Sequence, residues 1–162
     1  MNSIDIIQTL LLLGIIGLLF YKRPAGGKTV STAKTGKSLI LDSCALIDGR
    51  IVELVNAGFI HSRLIVPKFI LKELQLLADG QDSQKRERAR FGLDVANRLQ
   101  ENKNCDVSIA REEFTDIKAT DDKLIELAKK LSAYLYTTDY NLNKVATVEG
   151  IKVLNINELA LS

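Results

Sequence analysis

Four carboxylates occupy places where the chain could bring them together. Asp42 closes the short apolar run Leu39-Ile40-Leu41 and is followed by the small hydroxyl residue Ser43. Glu73 lies about two turns into a helix opened by Pro67, Asp121 begins an amphipathic helix, and Asp139 follows the strand-like YLYTT. A charge at the end of an apolar run is costly to bury unless something pairs with it. Carboxylates that converge also raise one another's pKa. Mg²⁺ or Mn²⁺ relieves that repulsion, because these hard ions take oxygen ligands, keep several waters and bind substrate phosphate. The chemistry that fits is phosphodiester hydrolysis. One ion lowers the pKa of an attacking water, and a second, where present, stabilises the leaving oxygen.

Each acid also has a plainer reading. Asp42, Asp121 and Asp139 all stand where an N-cap would. Glu73 could face solvent, Asp48 could decorate a helix surface, and Asp122 rivals its neighbour Asp121. Other chemistries find less support. His61 is the single histidine and has no partner at metal-ligand spacing, so a zinc site is not expected. Cys44 and Cys105 form neither a CxxC knuckle nor a disulfide framework, which points to a reducing compartment. No serine or cysteine has the activating neighbours of a covalent nucleophile.

The elements that must position the acids alternate between short β-like runs and helical stretches. Strands are predicted over 39–42, 64–66, 106–109, 134–137 and 153–154. Helices are predicted over 46–56, from Pro67, from the 85–90 region to about Gln100, over 120–131, from Asp139 to Gly150, and over 156–161. In the third helix Phe91, Val95 and Leu99 recur every four positions. Strands separated by helices imply a parallel sheet with right-handed crossovers. In such a sheet strand ends and helix starts share one edge, where ligand crevices lie.

At 162 residues the chain has room for one globular domain. Its net charge of +2 permits a nucleic-acid partner, and the location of charge says more than the sum. Lys85, Arg86, Arg88 and Arg90 form a basic run, either a solvated helix face or a hold on a phosphate backbone near the acids.

Residues 6–20 are almost wholly apolar, and positive charge follows at Lys22, Arg23, Lys28, Lys34 and Lys37. That order predicts an uncleaved, single-pass membrane anchor over 1–23 with the catalytic domain in the cytoplasm. The rival is a buried or oligomer-forming apolar helix, which leaves a homo-oligomer open. Residues 24–37, rich in Gly, Ser, Thr and Lys, read as a flexible linker.

The motifs LDSCALIDGRI, VPKFILKELQ, TDDKLIELAKKL, TTDYNLNKVA and KVLNINELA resemble the PIN nuclease domain, within it the membrane-anchored bacterial PIN–TRAM branch. The resemblance covers residues 38–160. It implies an α/β/α sandwich around a parallel sheet of about five strands and a Mg²⁺- or Mn²⁺-dependent ribonuclease centre. By residue-wise match the acids fall on Asp42, Glu73, Asp121 and Asp139, supported by Ser43, Thr137 and the additional acid Asp48. Lys123 could neutralise substrate beside them, or its helix could point it to solvent. Relatives of that branch carry several membrane helices and a C-terminal TRAM domain thought to bind RNA. Here at most one such helix is readable and the sequence stops at Ser162, so the chain is either naturally short or a fragment. Toxin ribonucleases are a poorer match in the LNKVA and LNINEL segments and the apolar leader, so an antitoxin partner is not expected. The expected function is a metal-dependent endoribonuclease in residues 38–162. Its rivals are a catalytically weak RNA-binding scaffold of the same fold and a toxin ribonuclease.

Overall fold

All three residues of strand β1 (Leu39–Leu41) are buried, and a strand apolar at every position belongs inside a parallel sheet covered on both faces. The computed structural model describes residues 37–159, and β1 is the middle strand there. With β2 (Leu64–Pro67), β3 (Val107–Ala110), β4 (Tyr134–Tyr136) and β5 (Val153–Leu154) it forms one sheet in the order β3-β2-β1-β4-β5. Every neighbouring pair is parallel. The connecting helices are α1 (Ser43–Asp48), α2 (Arg50–Asn56), α3 (Lys68–Ala78), α4 (Ser83–Glu101), α5 (Thr120–Leu131), α6 (Tyr140–Val148) and α7 (Ile156–Leu159). Helices α1 to α4 pack on one another, whereas α5 packs on β4 and α6 on β5. Steps in opposite directions along a sheet place right-handed crossovers on opposite faces. The result is the three-layer α/β/α sandwich that the sequence predicts.

The strand order also fixes where a ligand belongs. The chain steps from β1 through β2 to β3 on one side, then from β4 to β5 on the other. The reversal lies between β1 and β4, where Leu41 pairs with Tyr136. Open α/β sheets hold ligands in the crevice beyond the strand carboxyl ends at such a switch point. Asp42 follows β1 and Thr137 follows β4, so both stand at that crevice.

Two local predictions change. The single helix expected over 46–56 is two helices, broken at Gly49, whose φ is +80°. Only glycine adopts that left-handed conformation without a Cβ penalty. A Cβ at Gly49 would lie 2.8 Å from the Phe91 ring. That ring remains 45% exposed, although its spacing with the buried Val95 and Leu99 predicts burial. Gly49→Ala is therefore expected to destabilise the fold by about 1–2 kcal/mol, the left-handed backbone cost, because the half-exposed ring can swing aside. Urea midpoints measure this, and an unchanged midpoint contradicts it.

The second change concerns α5. Its N-cap is Ala119, with no side-chain cap hydrogen bond. Neither Thr120 nor Asp121 caps the helix, so the plainer reading of Asp121 does not hold.

The membrane expectation also needs correction. Among the described residues no helix is long and apolar enough to cross a membrane. The 19-residue α4, SQKRERARFGLDVANRLQE, is charged along most of its length and buries one face only. The expected anchor over 1–23 lies outside the described residues, as does the linker apart from Lys37. Membrane attachment through an N-terminal helix, and the single-pass location built on it, find no support among the described residues.

Candidate active site

Asp42 is 3% exposed, and its two carboxylate oxygens are fixed by the first turn of α1 and by the residue that follows β4. The Ala45 backbone N–H donates to Oδ1 at 2.6 Å, the N-cap bond of α1. The Thr137 hydroxyl donates to Oδ2 at 2.5 Å and accepts from the Asp139 N–H at 2.9 Å. One hydroxyl thus ties the end of β1 to the turn after β4. Burial pushes the Asp42 carboxyl from 3.8 up to about 6. The two hydrogen bonds oppose that rise, and the nearby Asp139 and Asp121 charges add to it.

The other three acids surround this point. Asp139 caps α6, accepting from the N–H groups of Asn141 and Leu142 at 2.7 and 3.2 Å. Capping and a place in the site coexist at both Asp42 and Asp139. The side chain of Asp121, in the first turn of α5, makes no hydrogen bond or ion pair among the described residues. Its carboxyl is raised by burial, then by the Asp139, Glu73 and Asp122 charges. Glu73 is half-buried on α3. Its Oε1 accepts from the Ser43 hydroxyl at 3.3 Å, while its Oε2 is buried with no hydrogen-bond partner. Cys44 gives an independent view of the convergence. Burial first, and then Asp42, Asp139, Glu73 and Asp121 together, push its thiol up to about 11. All four acids therefore act on one side chain, which is itself held inert as a nucleophile.

This donor set fits a hard divalent cation in chemistry. It gathers oxygen ligands only, carries excess negative charge, and leaves one buried carboxylate oxygen without a donor. The acids are not drawn tight: among the described residues no three His, Cys, Asp or Glu side chains stand close enough to form a ready-made ion site.

Asp48 is engaged elsewhere. Arg50 donates to Oδ1 and Oδ2 at 2.6 and 2.7 Å, which holds this carboxyl below its ordinary range. The basic run lies in the first half of α4. Lys85 pairs with Asp82 at 4.0 Å, and Arg86 donates to the Gly80 carbonyl at 3.4 Å. Arg88 and Arg90 are exposed, and no ion pair joins any of the four to the acids. Lys123, in the first turn of α5, has its Nζ 6.0 Å from the Phe69 ring centre.

Thr137→Val tests the hinge between the strand ends. It keeps the shape, removes a donor from a buried carboxylate and orphans the Asp139 N–H. The expected cost is about 2 kcal/mol, with the Asp42 pKa pushed further up. Denaturation together with an NMR titration of Asp42 checks both. A valine variant matching the parent in each would show the hydroxyl to be dispensable.

Comparison with known proteins agrees with this fold. The family described as "PIN like domain" matches residues 50–158. An uncharacterized PIN and TRAM-domain containing protein of Bacillus subtilis is 45% identical over 124 residues, 76% of this chain and 34% of that protein. Its counterpart in Synechocystis is 42% identical over 121 residues, 75% and 34% of the two chains. The chain spans about a third of the length of these curated relatives. A solved domain of a functionally unknown protein from Methanocaldococcus jannaschii is 27% identical, with a TM-score of 0.62 over 74% of this chain and 91% of that one. The likeness to PIN and TRAM-domain proteins stands without the membrane anchor that the sequence attached to it, and on the family match the chain belongs to the PIN-like domain family.

Proposed function

We propose that this chain is a divalent-metal-dependent endoribonuclease that hydrolyses RNA phosphodiester bonds, with the activity in residues 38–162. The observation that carries the reading is a mutually repelling group of acids at the switch point of the sheet, with Asp42 buried among them and one Glu73 oxygen buried without a partner. Asp42, Glu73, Asp121 and Asp139 would hold Mg²⁺ or Mn²⁺. When bound, such an ion supplies Lewis-acid stabilisation of the phosphoryl oxygens and a water of lowered pKa.

The side chains have separate roles in this reading. Asp42 is the fixed anchor, since Ala45 and Thr137 leave its carboxylate no freedom to turn. Ser43 orients Glu73 through one oxygen and leaves the other for the ion. Asp121 projects from α5 without a competing partner. Lys123 offers positive charge to the RNA backbone, and the Lys85–Arg90 run offers more along α4. Such phosphate contacts position a strand without reading its sequence. The expected products carry 5′-phosphate and 3′-hydroxyl ends.

A catalytically weak RNA-binding protein of the same fold is the second reading. It is favoured by one observation, that no three of the acids form a ready-made ion site among the described residues. Incubating the full chain with single-stranded and folded RNA and DNA separates the two, in Mn²⁺, in Mg²⁺ and in EDTA. Cleavage that needs metal supports the nuclease. Binding of RNA without cleavage in Mn²⁺ leaves the second reading.

A further inference from the structure

A recess of about 220 Å³ lies beside the acids, walled by the start of α3, the loop before α5 and the first turn of α5. Its apolar surface is two partly buried rings, Phe69 and Phe114, which meet edge to face with centres 6.5 Å apart and planes 77° apart. Lys68, Lys72 and Lys123 surround them. Lys68 lies 3.7 Å from the exposed Glu113, whereas Lys72 and Lys123 have no ion-pair partner among the described residues. Aromatic faces ringed by uncompensated cations match a ligand that is a flat ring joined to a phosphate. The recess is smaller than the roughly 300–1,000 Å³ of a pocket for a drug-sized molecule, so it takes one base and not a dinucleotide.

Its position is as informative as its lining. Phe69 and Glu73 are four residues apart on α3 and so share a helix face, roughly 6 Å apart along the axis. The Asp121 carboxylate feels the charge of Glu73. The recess therefore opens about one helical turn from the acids.

We propose that this recess is a base-binding subsite, in which Phe69 and Phe114 receive one unpaired base while Lys72 and Lys123 contact its flanking phosphates. The proposal rests on the nuclease reading for which bond lies next to that base, and on its own lining for binding. A base in a duplex stays in its stack and cannot enter. Contact with an aromatic face is sequence-tolerant, since every base has a π-face, so the subsite selects strandedness over sequence.

The test is binding of the full chain, in EDTA, to a fluorescein-labelled ten-nucleotide oligoadenylate followed by anisotropy. Phe69→Leu and Phe114→Leu keep apolar bulk and remove the rings. Each is expected to weaken binding about tenfold with little change in salt dependence. Lys72→Gln is expected to reduce the salt slope by about 0.7, the single-strand value for one phosphate contact. A strand with the same phosphates and abasic sites in place of its bases is expected to bind unmodified protein about tenfold more weakly, a measurement that needs no variant to fold. Leucine variants that bind like the parent, or an abasic strand that binds as tightly as the oligoadenylate, would overturn the subsite. Because no metal is present, the nuclease reading fails separately: ring-dependent binding with no cleavage in Mn²⁺ keeps the subsite and removes the enzyme.

Discussion

Asp42→Asn is expected to lower Mn²⁺-dependent RNA cleavage by about 10²–10³-fold while the protein stays folded. The size follows from losing several kcal/mol of metal-borne transition-state stabilisation, at about 1.4 kcal/mol per tenfold. Folding should survive because the amide can take over both hydrogen bonds. Its oxygen still accepts from the Ala45 N–H. Its NH₂ faces the Thr137 hydroxyl, which has acceptor capacity left beside the bond from the Asp139 N–H. Single-turnover cleavage of end-labelled RNA measures the loss, with thermal melting as the check on folding. A folded Asn variant that retains activity within a few-fold of the parent removes Asp42 from the chemistry, and with it the site as drawn.

The parts of this molecule that a reader of the sequence could find are those with local causes. Helix α5 runs over Thr120–Leu131 as its 3.6-residue period predicts, because Leu124, Leu127 and their neighbours carry the pattern unaided. Strand β1 could be read from three consecutive apolar residues for the same reason. What escaped depended on tertiary packing or on backbone conformation. The capping expected of Asp121 fails because the chain enters α5 two residues earlier, at Ala119. Asp48 looked like an acid on a continuous helix. The break at Gly49 instead turns Arg50 back onto it, a pairing that two residues' separation on one helix would forbid. The buried, unpartnered oxygen of Glu73 needs Ser43 and the packing around α3 to exist at all. Lys68 and Lys72, four apart on the helix that carries Glu73, were a readable signal. The ring that makes them interesting, Phe114, arrives from a loop more than forty residues away.

The metal-free protein is expected to lose stability as pH rises from about 4 to 6, and Asp42→Asn should abolish most of that loss. Burial lifts the folded-state pKa of Asp42 from 3.8 to about 6, so between those values the native protein holds a proton that the unfolded chain gives up. The stabilisation is fully present below pH 3.8 and is withdrawn as pH passes through 6. It amounts to about 3 kcal/mol, at 1.36 kcal/mol per pKa unit. Asp121 is shifted the same way and adds to the trend. Asp48 is shifted downward by Arg50, so its stabilisation is present above pH 3.8 and fades only below it, outside the window. Urea denaturation in EDTA at pH 4, 5, 6 and 7 measures the trend, and the difference between parent and variant isolates Asp42 from the acids they share. Parallel curves would mean that Asp42 is not desolvated as described. At pH 7 the same denaturation, with manganese in place of EDTA, bears on the metal. Manganese at a hundred times its Kd should return about 2.7 kcal/mol to the parent and much less to the Asn variant, because the charge that destabilises the empty fold is the charge the ion binds.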